Sequence, residues 1–351
     1  MSDQLADSAE RLFAAHVNKD VLRSAEQGVF PETLWRAVTE AGFTAALLPE
    51  EAGGFGASTA DATGILRIAA SHAAPIPLAE TMLGGWLLAR ASLPIPSGVL
   101  TLAPVRLEDK LALVSVGGRW RLSGNATRIP WARDAAAITV LASADDGPRF
   151  VLLRAGAFSV THDVNLAREP RDTISIDAEI DSAAMASAPR GFGPAQLRAA
   201  GAAIRTAQIA GALSRALELS VQYAQTRVQF GRPIGKFQAI QQYLAMLAEH
   251  AAASVAAADT ATQALQGSLP PLFVAAAKAR AGEGASVAAG LAHQVHGAIG
   301  FTQEYELHHL TRRLWSWRDE FGNESEWYGL VGRAVFAAGP DGLWAALTAA
   351  A

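Results

Sequence analysis

Arg227-Val228-Gln229-Phe230-Gly231-Arg232-Pro233-Ile234-Gly235-Lys236-Phe237-Gln238 stands between two long alanine-rich runs. Residues 199–226 before it hold no proline and only two glycines, and residues 238–265 after it keep the same apolar patterning. Runs of that length predict helices, and the Gly/Pro hinge between them predicts a sharp corner. A third run, 271–298, follows after another short break. Long helices on short connections argue an antiparallel, four-helix-type bundle. Chemically the corner offers a guanidinium for pyrophosphate, an aromatic face for a flat ring and an amide for polar edges. An ordinary helix–helix turn with exposed basic residues explains the same composition.

Outward from the corner, the periodicity changes twice. Residues 1–100 read as helical: Ala6, Leu12, Phe13 and Val17 recur at helical spacing, as do Leu34, Ala37, Val38 and Ala41. Pro31 fits a first helical position and Gly42 a helix end. Ser58 or Thr59 fits the cap of a helix running toward Ala70. Between 101 and 190 the apolar runs shorten to 111–116, 120–122, 137–141, 150–153 and 174–176, separated by turn signals such as Gly117-Gly118 and Asp145-Asp146-Gly147-Pro148. They predict an antiparallel sheet or small barrel. The fold class is therefore α+β: an N-terminal helical domain (1–100), a middle antiparallel β domain (101–190) and a C-terminal helical bundle (191–351).

Composition narrows the function. The chain has 351 residues, half of them hydrophobic and 18% charged, with a net charge of −4 and no cysteine. Disulfides, Fe–S clusters, thiolate zinc sites and cysteine nucleophiles are excluded, and the charge supplies no footprint for nucleic acid. The start, Met-Ser-Asp-Gln-Leu-Ala-Asp, does not read as a signal peptide. Arg90, Pro94, Pro96 and Pro104 interrupt the most apolar stretch, which argues against a membrane span. The expectation is a cytoplasmic protein.

A second informative stretch is Gln294-Val295-His296-Gly297-Ala298-Ile299-Gly300-Phe301-Thr302-Gln303-Glu304-Tyr305. Its glycines permit close backbone approach to a ligand and leave N–H groups free for an anion. The plain alternative is a glycine-rich helix end. With the corner, the loop Pro49-Glu50-Glu51-Ala52-Gly53-Gly54-Phe55-Gly56 and the turn Leu122-Ser123-Gly124-Asn125-Ala126-Thr127, this chain resembles the acyl-CoA dehydrogenase family along nearly its whole length. The resemblance implies an FAD enzyme, dimeric or tetrameric, in which a glutamate removes the α-proton of an acyl-CoA thioester. The β-hydride passes to flavin N5, and electron-transferring flavoprotein reoxidises the flavin. By the resemblance Arg227, Phe230 and Gln238 match contacts to the FAD diphosphate and adenosine end from a neighbouring subunit, and Gln229 a polar position beside them. Gln294, Gly297 and Gly300 match the second FAD loop, in which His296 departs mildly from the usual residue.

The catalytic base departs further. The family glutamate commonly precedes a glycine at a fixed distance after the pair equivalent to Gly300-Phe301, and ungapped counting lands on Phe321-Gly322. Glu320 is one residue away, and one residue of slip turns a helical side chain by about 100°. A minority of the family carries the base on the long helix, at about Gly201 here, and no acid lies between Gln196 and Leu217. The strand Leu102-Ala103-Pro104-Val105-Arg106-Leu107 lacks the family's acidic-serine stretch, and Asn323, Glu324 and Ser325 stand where pyrophosphate contacts are frequent. These departures are similar to the shorter chains of heteromeric steroid side-chain and bulky-acyl dehydrogenases. They imply a subunit that shares an FAD site with a longer catalytic homologue in a heterotetramer. A homo-oligomer using Glu320 and a flavin-free assembly subunit are the alternatives. The His293, His296, His308, His309 cluster reads as helix-end histidines, with no metal expected. Trp315, Trp317, Trp327, Trp344 and Tyr328 read as core or interface. Arg312, Arg313 and Arg318 fit either a CoA phosphate or a solvated face.

Overall fold

The computed structural model describes residues 1–267 and 269–348. In the N-terminal part, α1 (Asp3–His16) turns Ala9 and Phe13 inward, and α2 (Lys19–Glu26) is capped by Asn18, which accepts from two backbone N–H groups at 3.0 Å. In α3 (Glu32–Glu40) Pro31 takes the cap position rather than the first turn, and Gly42 follows the helix with φ +76°. A reciprocal Ser58/Asp61 capping box opens α4 (Thr59–Ser71). Nearly all of α5 (Leu78–Arg90) is buried, Glu80 included.

Eight strands form the middle sheet: β1 (Leu100–Ala103), β2 (Leu111–Val116), β3 (Arg119–Pro130), β4 (Ala137–Ala144), β5 (Gly147–Arg154), β6 (Phe158–Thr161), β7 (Arg171–Ile180) and β8 (Met185–Ser187). Their order is β6-β7-β3-β2-β4-β5-β8, with β1 beside β4. The expected antiparallel sheet is corrected to a mixed one, because β4 pairs in parallel with both β1 and β2. Hairpin turns were readable as local signals, whereas the strand that returns beside β4 after a longer excursion has none. β3 is also far longer than its apolar run, and its register against β7 shifts between Ala126 and Ile129, which marks a bulge.

The C-terminal part begins with α6 (Pro194–Thr226), 33 residues long and buried along most of its length. A two-residue hairpin, β9 (Val228–Gln229) and β10 (Arg232–Pro233), makes the corner. Then follow α7 (Gln238–Gln266), α8 (Pro271–His296), α9 (Leu307–Asp319) and α10 (Glu324–Thr348), the last bent at Gly339-Pro340. α6 packs against α7, α8 and α9, with α8 between α7 and α9. One apolar core runs from α1 and α5 through the sheet into the start of α6, and a second fills the bundle.

One glycine of α6 and one of α8 have contrasting surroundings. A Cβ at Gly211 would stand 2.0 Å from the carbonyl oxygen of Arg67 in α4, so the absence of a side chain sets how closely α4 and α6 approach. Gly211→Ala is expected to force these helices apart and cost about 1–3 kcal/mol. Gly290 of α8 faces open space, so Gly290→Ala should be neutral or stabilise by up to about 1 kcal/mol. Thermal melting of the two variants beside the native chain checks the contrast.

Candidate functional site

Two regions carry the candidate residues. The first is one end of the bundle, where the end of α6, the start of α7 and the end of α8 meet. Tyr223, one turn before Arg227, stacks on His296 at 4.6 Å between ring centroids, and Tyr305 closes on both rings. The two sequence stretches are therefore neighbours within a single chain. Arg227, Gln229, Phe230, Gln238, Gln294 and Gly297 are all exposed there. Phe230 is 92% exposed and sits at φ +51°. Arg227 has no ion pair among the described residues, whereas Arg232 lies over the Phe237 ring at 4.3 Å.

Two candidates are corrected. His296 is 4% exposed. Its Nδ1 is 2.8 Å from the carbonyl of Ala292, and its Nε2 3.2 Å from the Tyr305 hydroxyl. Burial lowers its pKa, so the ring braces the loop from behind as a neutral group. Gly300 is buried too, and a Cβ there would stand 3.1 Å from both His293 and His296. Its role is close packing of the loop onto α8. Tyr223 and Tyr305 were missed because aromatics on a helix face give no local sign of what they stack on.

The second region is a cleft of about 220 Å³ between the sheet and the loop after α9. The two positions that the family resemblance indicated for a base meet beside it. Phe321 takes φ +55° and is 4% exposed. Its ring lies so close to α6 that a Cβ at Gly201 would stand 2.2 Å from it. Gly322, at φ +100°, leaves room for Arg198, whose guanidinium donates to the Phe321 carbonyl at 3.1 Å, stacks on Trp327 at 4.5 Å and pairs with Glu326. Lys278 holds the same loop from below, donating to the carbonyls of Arg318 at 2.6 Å and Gly322 at 2.9 Å.

Glu320 lines this cleft, and both of its carboxylate oxygens are already engaged. One carboxylate oxygen accepts from Arg171 Nε at 2.7 Å and Asn165 Nδ2 at 3.3 Å. The other accepts from Arg205 Nε at 2.7 Å and Arg171 Nη2 at 3.2 Å. Burial alone would raise its pKa, but the two guanidinium groups outweigh that and hold it at about 2. Arg205 also pairs with Glu80 of α5, and Arg171 with Glu169, which Arg313 of α9 and the Trp317 indole reach as well. Glu80 and Arg205 did carry a sequence signal, each being a lone charge inside an apolar helical run, where an unpaired charge is rarely buried.

The remaining candidates resolve into packing. Asn323 and Glu326 form the reciprocal cap of α10, and Glu324 pairs with Arg318 and accepts from Ser286. Arg312 pairs with Glu26, and Arg313 is buried. Trp317 and Trp327 are core, whereas Trp344 is 75% exposed. Ligand-type atoms of Glu26, His308 and His309 do lie within 4.8 Å of one another, but the Glu26 carboxylate is already engaged by His309 and Arg312.

Residues 2–92 match the family model for the acyl-CoA dehydrogenase N-terminal domain, and residues 190–324 that for the C-terminal domain. The acyl-CoA dehydrogenase IpdE2 of Mycobacterium tuberculosis is 30% identical over 88% of this chain and 89% of its own. Among solved structures, the Tcur3481-Tcur3483 steroid ACAD superposes with a TM-score of 0.85 at 28% identity, over 96% of this chain and 98% of that one. The ChsE4-ChsE5 complex of Mycobacterium tuberculosis shares the fold, with a TM-score of 0.86 at 24% identity over 97% and 99%. The chain belongs to the acyl-CoA dehydrogenase family of FAD-dependent oxidoreductases. No helix among the described residues is long and apolar enough to cross a membrane.

The Glu320 cage makes a pH prediction. A carboxyl held at about 2 in the folded chain, against its ordinary 4.5, contributes stability that is fully present above about pH 4.5 and lost as pH falls toward 2. Glu320→Gln should lower stability at neutral pH by about 3–5 kcal/mol, since it leaves buried guanidinium charge uncompensated. It should also flatten the acid limb between pH 4.5 and 2. Denaturant unfolding across that range measures both.

Proposed function

We propose that this chain is a subunit of a heteromeric acyl-CoA dehydrogenase that helps to hold FAD at its bundle corner while a longer homologous chain supplies the catalytic base and acyl cleft. The observation that carries this reading is the contrast between the two regions. The corner is open, with an Arg227 that has no ion pair among the described residues and a 92% exposed Phe230. In the cleft the positions for a base are taken by Phe321 packed on Gly201, and Glu320 is clamped by two guanidinium groups.

The donor set at the corner suits the adenosine diphosphate end of FAD. Arg227 brings positive charge to a diphosphate, Phe230 offers a face for a flat ring, and the amides of Gln229, Gln238 and Gln294 are free to read polar edges. Gly297, at φ +65° with no neighbour within 4 Å of a built Cβ, lets the loop backbone come close. When bound, FAD supplies the hydride acceptor for α,β-dehydrogenation of an acyl-CoA thioester, with electron-transferring flavoprotein as the onward acceptor. The heteromeric steroid ACAD among the structural relatives supports an unlike partner and a bulky acyl group for this chain too.

A homomer using Glu320 fits less well. A general base works best with a pKa near the operating pH, and a carboxylate held at about 2 by Arg171 and Arg205 is a poor one. Freeing it would break four hydrogen bonds in the buried cage.

Two measurements test the reading. The chain purified by itself should be colourless or flavin-poor, and should gain flavin absorbance and dehydrogenase activity when co-expressed with its partner. A yellow, active lone chain would restore the homomer. In the complex, Arg227→Ala should weaken flavin retention on the order of tenfold or more, as expected for a charge-assisted contact. Glu320→Gln should leave turnover per bound flavin within a few-fold in whatever fraction folds, whereas a loss of several orders of magnitude would make Glu320 the base.

A further inference from the structure

We infer that the cleft between the β3 bulge and the loop after α9 is a binding site for a small oxyanion, a carboxylate or phosphate group, with Arg128 as its charged contact. The inference does not rest on the proposed sharing of FAD, because it concerns this chain's own cleft.

The bulge supplies the first observation. Between Ala126↔Ile174 and Ile129↔Asp172, two residues of β3 stand against one of β7. The second of the two is Arg128, at φ +57°, a conformation that a long unbranched side chain seldom adopts. The bulge is held in place: Asp109 accepts from the Thr127 backbone N–H at 2.9 Å and lies 3.2 Å from its hydroxyl. Bulges beside functional sites re-aim side chains, and strain that the surroundings over-determine points to a role. Here the re-aimed side chain lines the cleft.

Charge supplies the second, independent observation. Every acid lining the cleft already has a cation. Glu108 is paired with Arg106, and Glu326 with Arg198. Asp319 shares Arg318 with Glu324, and Glu320 is paired with Arg171 and Arg205. Arg106 and Arg198 are thereby spent. Arg128 is the cleft cation without an ion pair or side-chain hydrogen bond among the described residues.

Size selects the class of ligand. About 220 Å³ is below the range of pockets that take a whole drug-sized molecule, and suits one anionic end group. With Arg128 unpaired, the site favours a charge-assisted, two-pronged contact to a carboxylate or phosphate over an apolar tail.

The test uses the full chain, alone and in its complex, titrated calorimetrically at low salt with inorganic phosphate and separately with glutarate. Flavin content is measured on the same samples, so failure of the FAD reading is seen separately. Saturable binding of either probe is expected, weakened about tenfold or more by Arg128→Gln and largely kept by Arg128→Lys. Arg154→Gln, an exposed arginine outside the cleft, should bind as the native chain does. Binding of phosphate alone identifies a phosphoryl group as the occupant, and binding of glutarate alone a carboxylate. The inference is overturned if neither probe binds, or if Arg128→Gln binds as tightly as the native chain while melting at the native temperature.

Discussion

Six charges tie this molecule together: the buried Glu80, Glu169, Arg171, Arg205 and Arg313, and Glu320, whose side chain is 10% exposed. They come from α5, from the start of β7 and the loop before it, from α6, and from α9 and the loop after it. The cluster therefore spans all three parts of the chain. Burying one such charge unpaired costs several kcal/mol, and in this arrangement each of the six has an opposite partner. The apolar cores provide the driving force for docking.

The consequence reaches the cleft through two residues. Glu320 is locked in the cluster, so the next residue must turn sharply, and it does so at φ +55° with its ring against α6. Gly201 gives the ring its place, and Gly322 gives Arg198 its own. The residues that close the cleft thus belong to the same interaction that orients the domains.

The bundle end is built on the opposite principle. The buried His296 and the half-buried Tyr223 and Tyr305 form an aromatic brace. On that backing the corner and the α8 loop expose Arg227, Gln229, Phe230 and Gln294. The two regions thus differ in kind: in the cleft the acids are paired with cations, whereas the corner exposes Arg227 and Phe230.

The sequence by itself determined the order helix–sheet–helix and the corner at 227–238, because periodicity and Gly/Pro punctuation are local. It also determined that Phe321 and Gly201 carry no acid. Tertiary structure decided the rest. The parallel pairings of β4 join strands far apart in sequence, and no pattern within a strand encodes its neighbour. His296 read as a loop residue near a ligand, yet it faces inward because α6 supplies a ring for it to stack on. Glu320 read as a spare acid beside the base position. Its chemistry is set by Arg171 and Arg205, which lie 149 and 115 residues away along the chain. The pKa of a buried group depends on the charges folded around it, and that information exists only once the chain has closed.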